Sequence, residues 1–130
     1  MAHPKMFDDD DPVLARVRDL ALALPGADEK VSHGRPAFFT KKVFAYYGAS
    51  VRAGGDWVQH PSALVVLPDP EDHQALLEDE RCFVPAYLGA YGWIGVDLDE
   101  RADWDEVAEL LDASYRLTAP KRRIAELDAR

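Results

Sequence analysis

The chain has 130 residues, 48% of them hydrophobic, which is enough for a single domain with its own core. Twenty-four Asp and Glu residues exceed 15 Lys and Arg residues to give a net charge of −9, the opposite of the usual charge of a nucleic-acid-binding protein. One cysteine excludes an internal disulfide, and no signal-peptide pattern or apolar run of about 18 residues is present, so we expect a cytoplasmic protein without membrane contact.

The first part of the sequence predicts a tail and a helix. Residues 1–10 are expected to form a flexible N-terminal tail. Asp11 followed by Pro12 is typical of a helix N-cap with proline at the first helical position. Apolar residues then recur at helical spacing as far as Pro25-Gly26, so the first helix ends there.

The next part of the sequence changes to a β pattern. Residues 29–48 fit two or three short antiparallel strands with a break at Gly34-Arg35-Pro36. Residues 48–61, "GASVRAGGDWVQHP", are typical of a glycine-containing hairpin connection that projects as a wing. Residues 62–67, "SALVVL", are apolar on both faces and predict a central strand.

Two helices and two further β segments are expected in the remainder. Asp69-Pro70 predicts a helix from residue 70 to about residue 79, and residues 82–86 follow as a β segment. "GWIGVDL" predicts a last strand, and its alternation places Ile94, Val96 and Leu98 on one face and Trp93, Gly95 and Asp97 on the other.

The C-terminal part predicts one long helix and one short helix. Asp103 with Glu106 resembles a capping box, and the helix that it begins runs to about Thr118. Residues 121–128 predict a short terminal helix. The whole pattern indicates one α+β domain over residues 1–130, in which helices cover an antiparallel sheet.

The order of five motifs resembles a known family. "LPG", "HGRPAFF", "KVFAYYG", "VPAYLGAYGWIGVDL" and "LLDASYRL" follow one another as in the MmcQ/YjbR family of small bacterial proteins, over residues 13–128. The resemblance implies a CyaY-like two-layer fold. Members of this family are commonly labelled DNA-binding by analogy with a "double wing" arrangement of hairpins, so DNA binding is the function that the resemblance implies.

A basic segment interrupts the acidic chain. Residues 29–60 contain five basic and two acidic residues, a net charge of +3, whereas residues 61–119 have a net charge of −11. The candidate side chains for nucleic-acid or anion binding are His33, Arg35, Lys41, Lys42 and Arg52. Together with the family label, they predict weak, salt-sensitive DNA binding through residues 30–52. The alternative is a solvated strand edge, where lysines discourage pairing with another chain.

Four aromatic residues form a second candidate site. Trp93 is expected on the face opposite the helices, where Trp57, Tyr87 and Tyr91 would join it in a patch for stacking or for a partner protein. The alternative is a small second core on that face.

The rival function combines this patch with a basic residue. The constrained break at Gly34-Arg35-Pro36 would hold Arg35 near Trp93, and with Lys41 it would anchor a small anionic, partly aromatic ligand or a partner protein. The alternative for Arg35 is an ion pair with a nearby carboxylate.

The last candidate site is an acidic helix face. Acidic residues at helical spacing, with others nearby, form a ridge of Asp105, Glu109, Asp112, Asp99, Glu100 and Asp103. Such a ridge could hold a hard divalent cation, but carboxylates without a ligand loop favour a solvated face, so we predict no metal site and no cofactor. The four histidines lack zinc spacing, and no nucleophile, phosphate-loop or dinucleotide motif is present, so we favour a non-enzymatic binding domain of undetermined oligomeric state.

Overall fold

The structure, a computed structural model, describes residues 4–130. These residues form four α-helices, namely α1 (Pro12–Leu22), α2 (Pro70–Leu77), α3 (Trp104–Thr118) and α4 (Lys121–Asp128). They also form six strands, namely β1 (Asp28–Ser32), β2 (Arg35–Phe39), β3 (Val43–Ala53), β4 (Asp56–Val66), β5 (Cys82–Phe83) and β6 (Ile94–Asp97). The strands make one sheet in the order β1-β2-β3-β4-β6-β5, and each neighbouring pair is antiparallel. The predicted α+β fold with an antiparallel sheet is therefore confirmed.

Local side-chain caps determine where three helices begin. The carboxylates of Asp11, Asp69 and Asp103 each accept hydrogen bonds from backbone N–H groups in the first turn of α1, α2 and α3. The capping box of α3 is only half formed, because the carboxylate of Glu106 binds Arg81. The three predicted helix starts are correct, since each depends on contacts between residues at most three apart.

All four helices pack on one face of the sheet, which we call the helix face. The buried side chains of α1 and α3 pack in one cluster with residues of β2, β3, β4 and β6, among them Phe38, Phe44, Tyr47, Leu64, Val66, Ile94 and Val96. Ile94 and Val96 therefore lie under the helices, as the alternation of β6 predicts.

A buried hydroxyl joins α3 to the two central strands. Ser114 is fully buried, and its Oγ donates a hydrogen bond to the Phe44 carbonyl at 2.5 Å. The same Oγ accepts a hydrogen bond from the Leu67 N–H at 3.0 Å. Both backbone groups lie where a strand begins or ends, so this one side chain satisfies groups that the sheet leaves without a partner.

The opposite face, which we call the open face, carries a second and smaller apolar cluster. Ala49, Ala63 and Val65 are buried there, with Tyr46, Phe83, Leu88 and Trp93 partly buried around them. The Phe83 ring lies directly on Gly95, where a Cβ atom would overlap it. This contact places the segment after β5, residues 84–91, over the open face.

Two hairpins turn at the same end of the sheet. β1 and β2 are joined by His33-Gly34, and β3 and β4 are joined by Gly54-Gly55; all four of these residues have positive φ, as in type I′ turns. Residues 48–61, expected as a connection, instead extend β3 and β4 to this two-residue turn. The β segment expected over residues 82–86 contains only Cys82 and Phe83, because Pro85 cannot donate a ladder hydrogen bond.

The segment before α1 lies against the first hairpin. The Met6 N–H donates to the Gly34 carbonyl at 2.8 Å, and Asp9 forms ion pairs with Lys5 at 2.6 Å and Arg18 at 2.8 Å. Residues 1–3 of the expected tail lie outside the described residues. Within residues 4–130, each helix is too short or too polar to cross a bilayer.

Gly95→Ala is expected to lower the free energy of unfolding by about 1–3 kcal/mol, because the added methyl group would overlap the Phe83 ring. In a Phe83→Ala background, the same substitution should cost less than about 0.5 kcal/mol. Urea unfolding of the four proteins measures this difference. Equal costs in the two backgrounds would contradict the contact between Phe83 and Gly95.

Tyr47→Phe is expected to destabilise the protein by about 1–3 kcal/mol at pH 7, because the Tyr47 hydroxyl donates a hydrogen bond to Asp11 at 2.6 Å. Burial, and then this hydrogen bond, raises the pKa of Tyr47. A raised pKa means that the stabilisation is complete below the unfolded-state pKa of about 10 and is lost as the pH rises above it. Urea unfolding at pH 7 and pH 11 should therefore show a smaller difference between parent and variant at pH 11. Tyr87→Phe, with an exposed ring, is the control and should differ little from the parent at either pH.

Candidate functional site

The open face carries a cavity of about 790 Å³, which we call the open-face pocket. Its volume lies in the range of small-molecule binding sites. The sheet, the β3–β4 hairpin, the segment after β5 and the β1–β2 turn with Met6 surround it. The lining residues are Met6, Ser32, His33, Arg35, Tyr46, Gly48, Ala49, Ser50, Trp57, Val65, Pro85, Ala86, Tyr87 and Leu88.

The charge of the lining differs from the charge of the chain. The chain has 24 Asp and Glu residues, yet none of the 14 described lining residues is acidic. Arg35 and His33 are the basic side chains in the lining. The pocket is therefore an acid-free site in an acidic protein, which favours a negatively charged ligand over a cation.

Arg35 is held in the pocket by its surroundings. Its side chain lies over Gly48, where a Cβ atom would overlap the guanidinium, and Gly48 has a φ of 92° that favours glycine. The Arg35 Nη2 donates a hydrogen bond to the Gln59 Oε1 at 2.5 Å. Burial lowers the pKa of Arg35, although a guanidinium remains charged at neutral pH. The charge is thus half-buried and has an amide oxygen as its hydrogen-bond acceptor.

Arg18 shows how a partly buried arginine is compensated elsewhere in this chain. Its guanidinium pairs with Glu29 at 2.9 Å and with Asp9 at 2.8 Å. Arg35 has no corresponding ion pair with any carboxylate of residues 4–130, and burial is the one cause of its lowered pKa. The ion pair considered as an alternative for Arg35 is therefore not formed among the described residues.

The four rings of the expected aromatic patch fall into separate groups. Trp57 and Tyr87 lie together in the pocket, with ring centroids 6.2 Å apart and planes 31° apart. Trp93 instead packs edge-on against Tyr46, at 5.6 Å, in the second apolar cluster. Tyr91 is 80% exposed and lies outside the lining.

Tyr87 adopts an uncommon backbone conformation. Its φ and ψ are 64° and −61°, and the Leu88 N–H donates to the Ala86 carbonyl at 2.7 Å. This is the geometry of a classic γ-turn, which is strained for a residue with a side chain and costs about 1–3 kcal/mol. Such strain is concentrated at binding and catalytic sites in proteins.

The expected basic residues do not form one continuous surface. Lys41 and Lys42 are exposed in the turn between β2 and β3, at the end of β2 opposite Arg35 and His33. At about 3.3 Å per strand residue, they lie up to about 20 Å from Arg35. Arg52 lies near the tip of the β3–β4 hairpin, 5.1 Å from the centre of the Trp57 ring. The structure thus places Arg35, His33 and Arg52 near the pocket and the two lysines away from it.

The acidic helix face does not gather its carboxylates into a metal site. Asp112 pairs with Arg116 at 2.6 Å, and Glu109 and Asp112 line a separate cavity of about 480 Å³ beside Asp69. No group of three or more His, Cys, Asp or Glu side chains within residues 4–130 is arranged to hold a metal ion. Burial raises the pKa of the Cys82 thiol to about 11, so this thiol is protonated at neutral pH.

Sequence reasoning missed several residues of this region. Gln59 belongs to no sequence motif. Its contact with Arg35, which is 24 residues away in the chain, depends on how the strands pair. The role of Gly48 could have been predicted, because a glycine inside a strand pattern marks a place where another group approaches the backbone closely. His60 binds Asp97 at 2.9 Å and stacks on Phe83 at 3.9 Å, so it supports the contact that positions the segment after β5.

Comparison with known proteins identifies the family. The YjbR family model matches residues 22–117, which include all six strands of the described chain. The crystal structure of Deinococcus radiodurans protein DR2400, with a DUF419 domain, is similar with a TM-score of 0.59 and 23% identity, over 80% of this chain and 76% of that chain. This likeness shows the fold alone. No curated protein matches the chain. The family model covers most of the sequence and almost all of the pocket, and the chain therefore belongs to the YjbR family.

Proposed function

We propose that the open-face pocket binds a small anionic ligand and that Arg35 is its anchor. The observation that carries this proposal is the half-buried guanidinium of Arg35, which faces an acid-free cavity and has Gln59 as its hydrogen-bond partner. The role of the chain is then that of a binding module, the rival function that the sequence indicates.

The physical argument concerns the cost of a partly buried charge. Removing a guanidinium from water is unfavourable unless an opposite charge or several acceptors replace the water. A single amide oxygen offers only partial compensation. A carboxylate or phosphate group would form two parallel charge-assisted hydrogen bonds with Arg35, and these bonds are about twice as strong as neutral ones.

The remaining polar groups of the lining suit the same ligand. Ser32 and Ser50 contribute hydroxyl groups, which can donate hydrogen bonds to anion oxygens that Arg35 leaves free. Ser32 also contacts His33, with 3.2 Å between its Oγ and the His33 Nδ1. The apolar floor, formed by Ala49 and Val65, limits the access of water to the bound group.

Nucleic-acid binding through residues 30–52 is the second candidate and remains a prediction. The observation that favours it is the pair of hairpins that turn at one end of the sheet, with His33 in one and Arg52 in the other. The separation of Lys41 and Lys42 from that end, and the net charge of −9, favour the small ligand instead.

Thermal unfolding in the presence of inorganic phosphate, citrate or AMP tests the anion site. At ten times the Kd, a bound anion should stabilise the parent by about 1.4 kcal/mol, which raises Tm by roughly 3–6 °C. Arg35→Gln should lose this increase, whereas the matched control Lys41→Gln should keep it. Without ligand, Arg35→Gln should unfold within about 1 kcal/mol of the parent, since no ion pair is removed. If none of these anions raises Tm, or if Arg35→Gln responds like the parent, the proposal is wrong.

A gel shift with duplex DNA at low salt tests the second candidate. If residues 30–52 bind DNA through the hairpin end, Arg52→Glu should weaken the shift, and if they bind through the β2–β3 turn, Lys41→Glu combined with Lys42→Glu should abolish it, because phosphate contacts require positive charge. Arg35→Gln should change the shift little, since its side chain points into the pocket. An unaltered shift in the double lysine variant would exclude the β2–β3 turn as a DNA contact.

A further inference from the structure

We infer that the open-face pocket takes a phosphate compound of mononucleotide size, with its planar aromatic ring between Trp57 and Tyr87. This inference rests on the proposed anion site and adds the class of ligand. It is carried by the geometry of two exposed rings that line the same cavity as Arg35.

We call the space between the two rings the cleft; their centroids are nearly as far apart as an inserted third ring requires. Their centroids are 6.2 Å apart and their planes are 31° from parallel. Stacked rings lie about 3.5 Å apart, so a ring inserted between two others needs a spacing of about 7 Å. Tyr87 is 80% exposed and Trp57 is 45% exposed, so solvent reaches both rings, while the Arg52 guanidinium lies over part of the Trp57 ring.

A change in the backbone conformation of Tyr87 would widen the cleft between the two rings. Its γ-turn is strained, and a return to negative φ would swing the ring while releasing that strain. The residues on either side remain anchored, because the Ala86 N–H donates to the Ser50 carbonyl at 3.0 Å and the Gly89 N–H donates to the Pro85 carbonyl at 3.0 Å. The change in φ at Tyr87 would be taken up by the backbone between these two anchors, residues 86–89, and would break the hydrogen bond from the Leu88 N–H to the Ala86 carbonyl.

Trp57 is the fixed side of the cleft. It pairs with Arg52 across the β3–β4 hairpin, and the Arg52 guanidinium lies 5.1 Å from the centre of the Trp57 ring. A second positive charge therefore flanks the cleft. Arg35 binds the phosphate directly, and the charge of Arg52 at the ring end adds a longer-range attraction for an anion.

The spacing of Gln59 and Trp57 along β4 sets the approximate size of the ligand. Arg35 binds Gln59, which is two residues from Trp57 along β4 and so lies on the same side of the strand. Two strand residues span about 6.6 Å. A ligand that reaches both elements must separate its anionic group from its ring by about this length, as the sugar does in a mononucleotide.

Calorimetric titration with AMP and ribose 5-phosphate tests the inference, because the two compounds share the phosphate and differ in the ring. The parent should bind AMP at least about tenfold more tightly than ribose 5-phosphate. Trp57→Leu and Tyr87→Ala should reduce this ratio to less than about twofold, because they weaken the binding of AMP much more than that of ribose 5-phosphate. Tyr91→Ala is the matched control, because Tyr91 is equally exposed but lies outside the cleft, and it should keep the ratio. The indole N–H resonance of Trp57 should also shift with AMP and not with ribose 5-phosphate.

The outcomes separate this inference from the proposed function. Equal affinities for the two compounds, both weakened by Arg35→Gln, would overturn the ring cleft and leave the anion site in place. If neither phosphate compound binds, the inference is wrong. If citrate also fails to stabilise the parent, the proposed anion site is wrong as well. Tighter binding of a ten-residue thymidine oligonucleotide than of AMP, lost in Trp57→Leu, would assign the cleft to a nucleic-acid strand and overturn the small ligand.

Discussion

The hydroxyl of Ser114 is the polar contact on which the two-layer arrangement depends. It joins α3 to β3 through the Phe44 carbonyl and to the end of β4 through the Leu67 N–H. Each of these groups, if left buried without a partner, would cost about 1–3 kcal/mol. Because β3 and β4 are the central strands, this contact places α3 over the middle of the helix face, and α1 packs beside it. All four helices therefore cover the helix face, and the segment after β5 covers the open face.

The open-face pocket follows from this one-sided covering. A long α-helix would have filled the space above Tyr46 and Val65, whereas residues 84–91, which contain only a short 3-10 helix at Leu88–Tyr91, cross it and leave a cavity. Two glycines allow close packing around the pocket. Gly48 leaves room for the Arg35 side chain, and Gly95 leaves room for the Phe83 ring. The acidic residues that give the chain its charge lie outside the lining, so the pocket differs electrostatically from the rest of the surface.

Much of the fold could be predicted from the sequence because its signals are local. The N-caps at Asp11, Asp69 and Asp103 and the alternation around Ile94 depend on residues a few positions apart. The extent of β3 and β4 was missed, because a projecting hairpin is solvated and its sequence lacks the apolar pattern of a buried strand.

The candidate site was harder to predict because it is assembled from distant residues. Which rings meet in the pocket depends on the strand pairing and on the irregularity between Tyr47 and Ala49, neither of which the sequence specifies. Trp93, the ring that the alternation singled out, packs with Tyr46, while Trp57 from the hairpin meets Tyr87. The binding roles of these residues remain predictions that the proposed titrations address.

The two edges of the sheet have a consequence for solubility. An unpaired strand edge recruits other chains when it is long, flat and apolar. Here one edge is β1, which begins Asp28-Glu29-Lys30, and the other is β5, which has only two residues. Charge at one edge and shortness at the other disfavour the growth of intermolecular sheets, and the net charge of −9 adds repulsion between molecules. The protein can therefore expose aromatic rings on the face of its sheet without those rings nucleating aggregation along its edges.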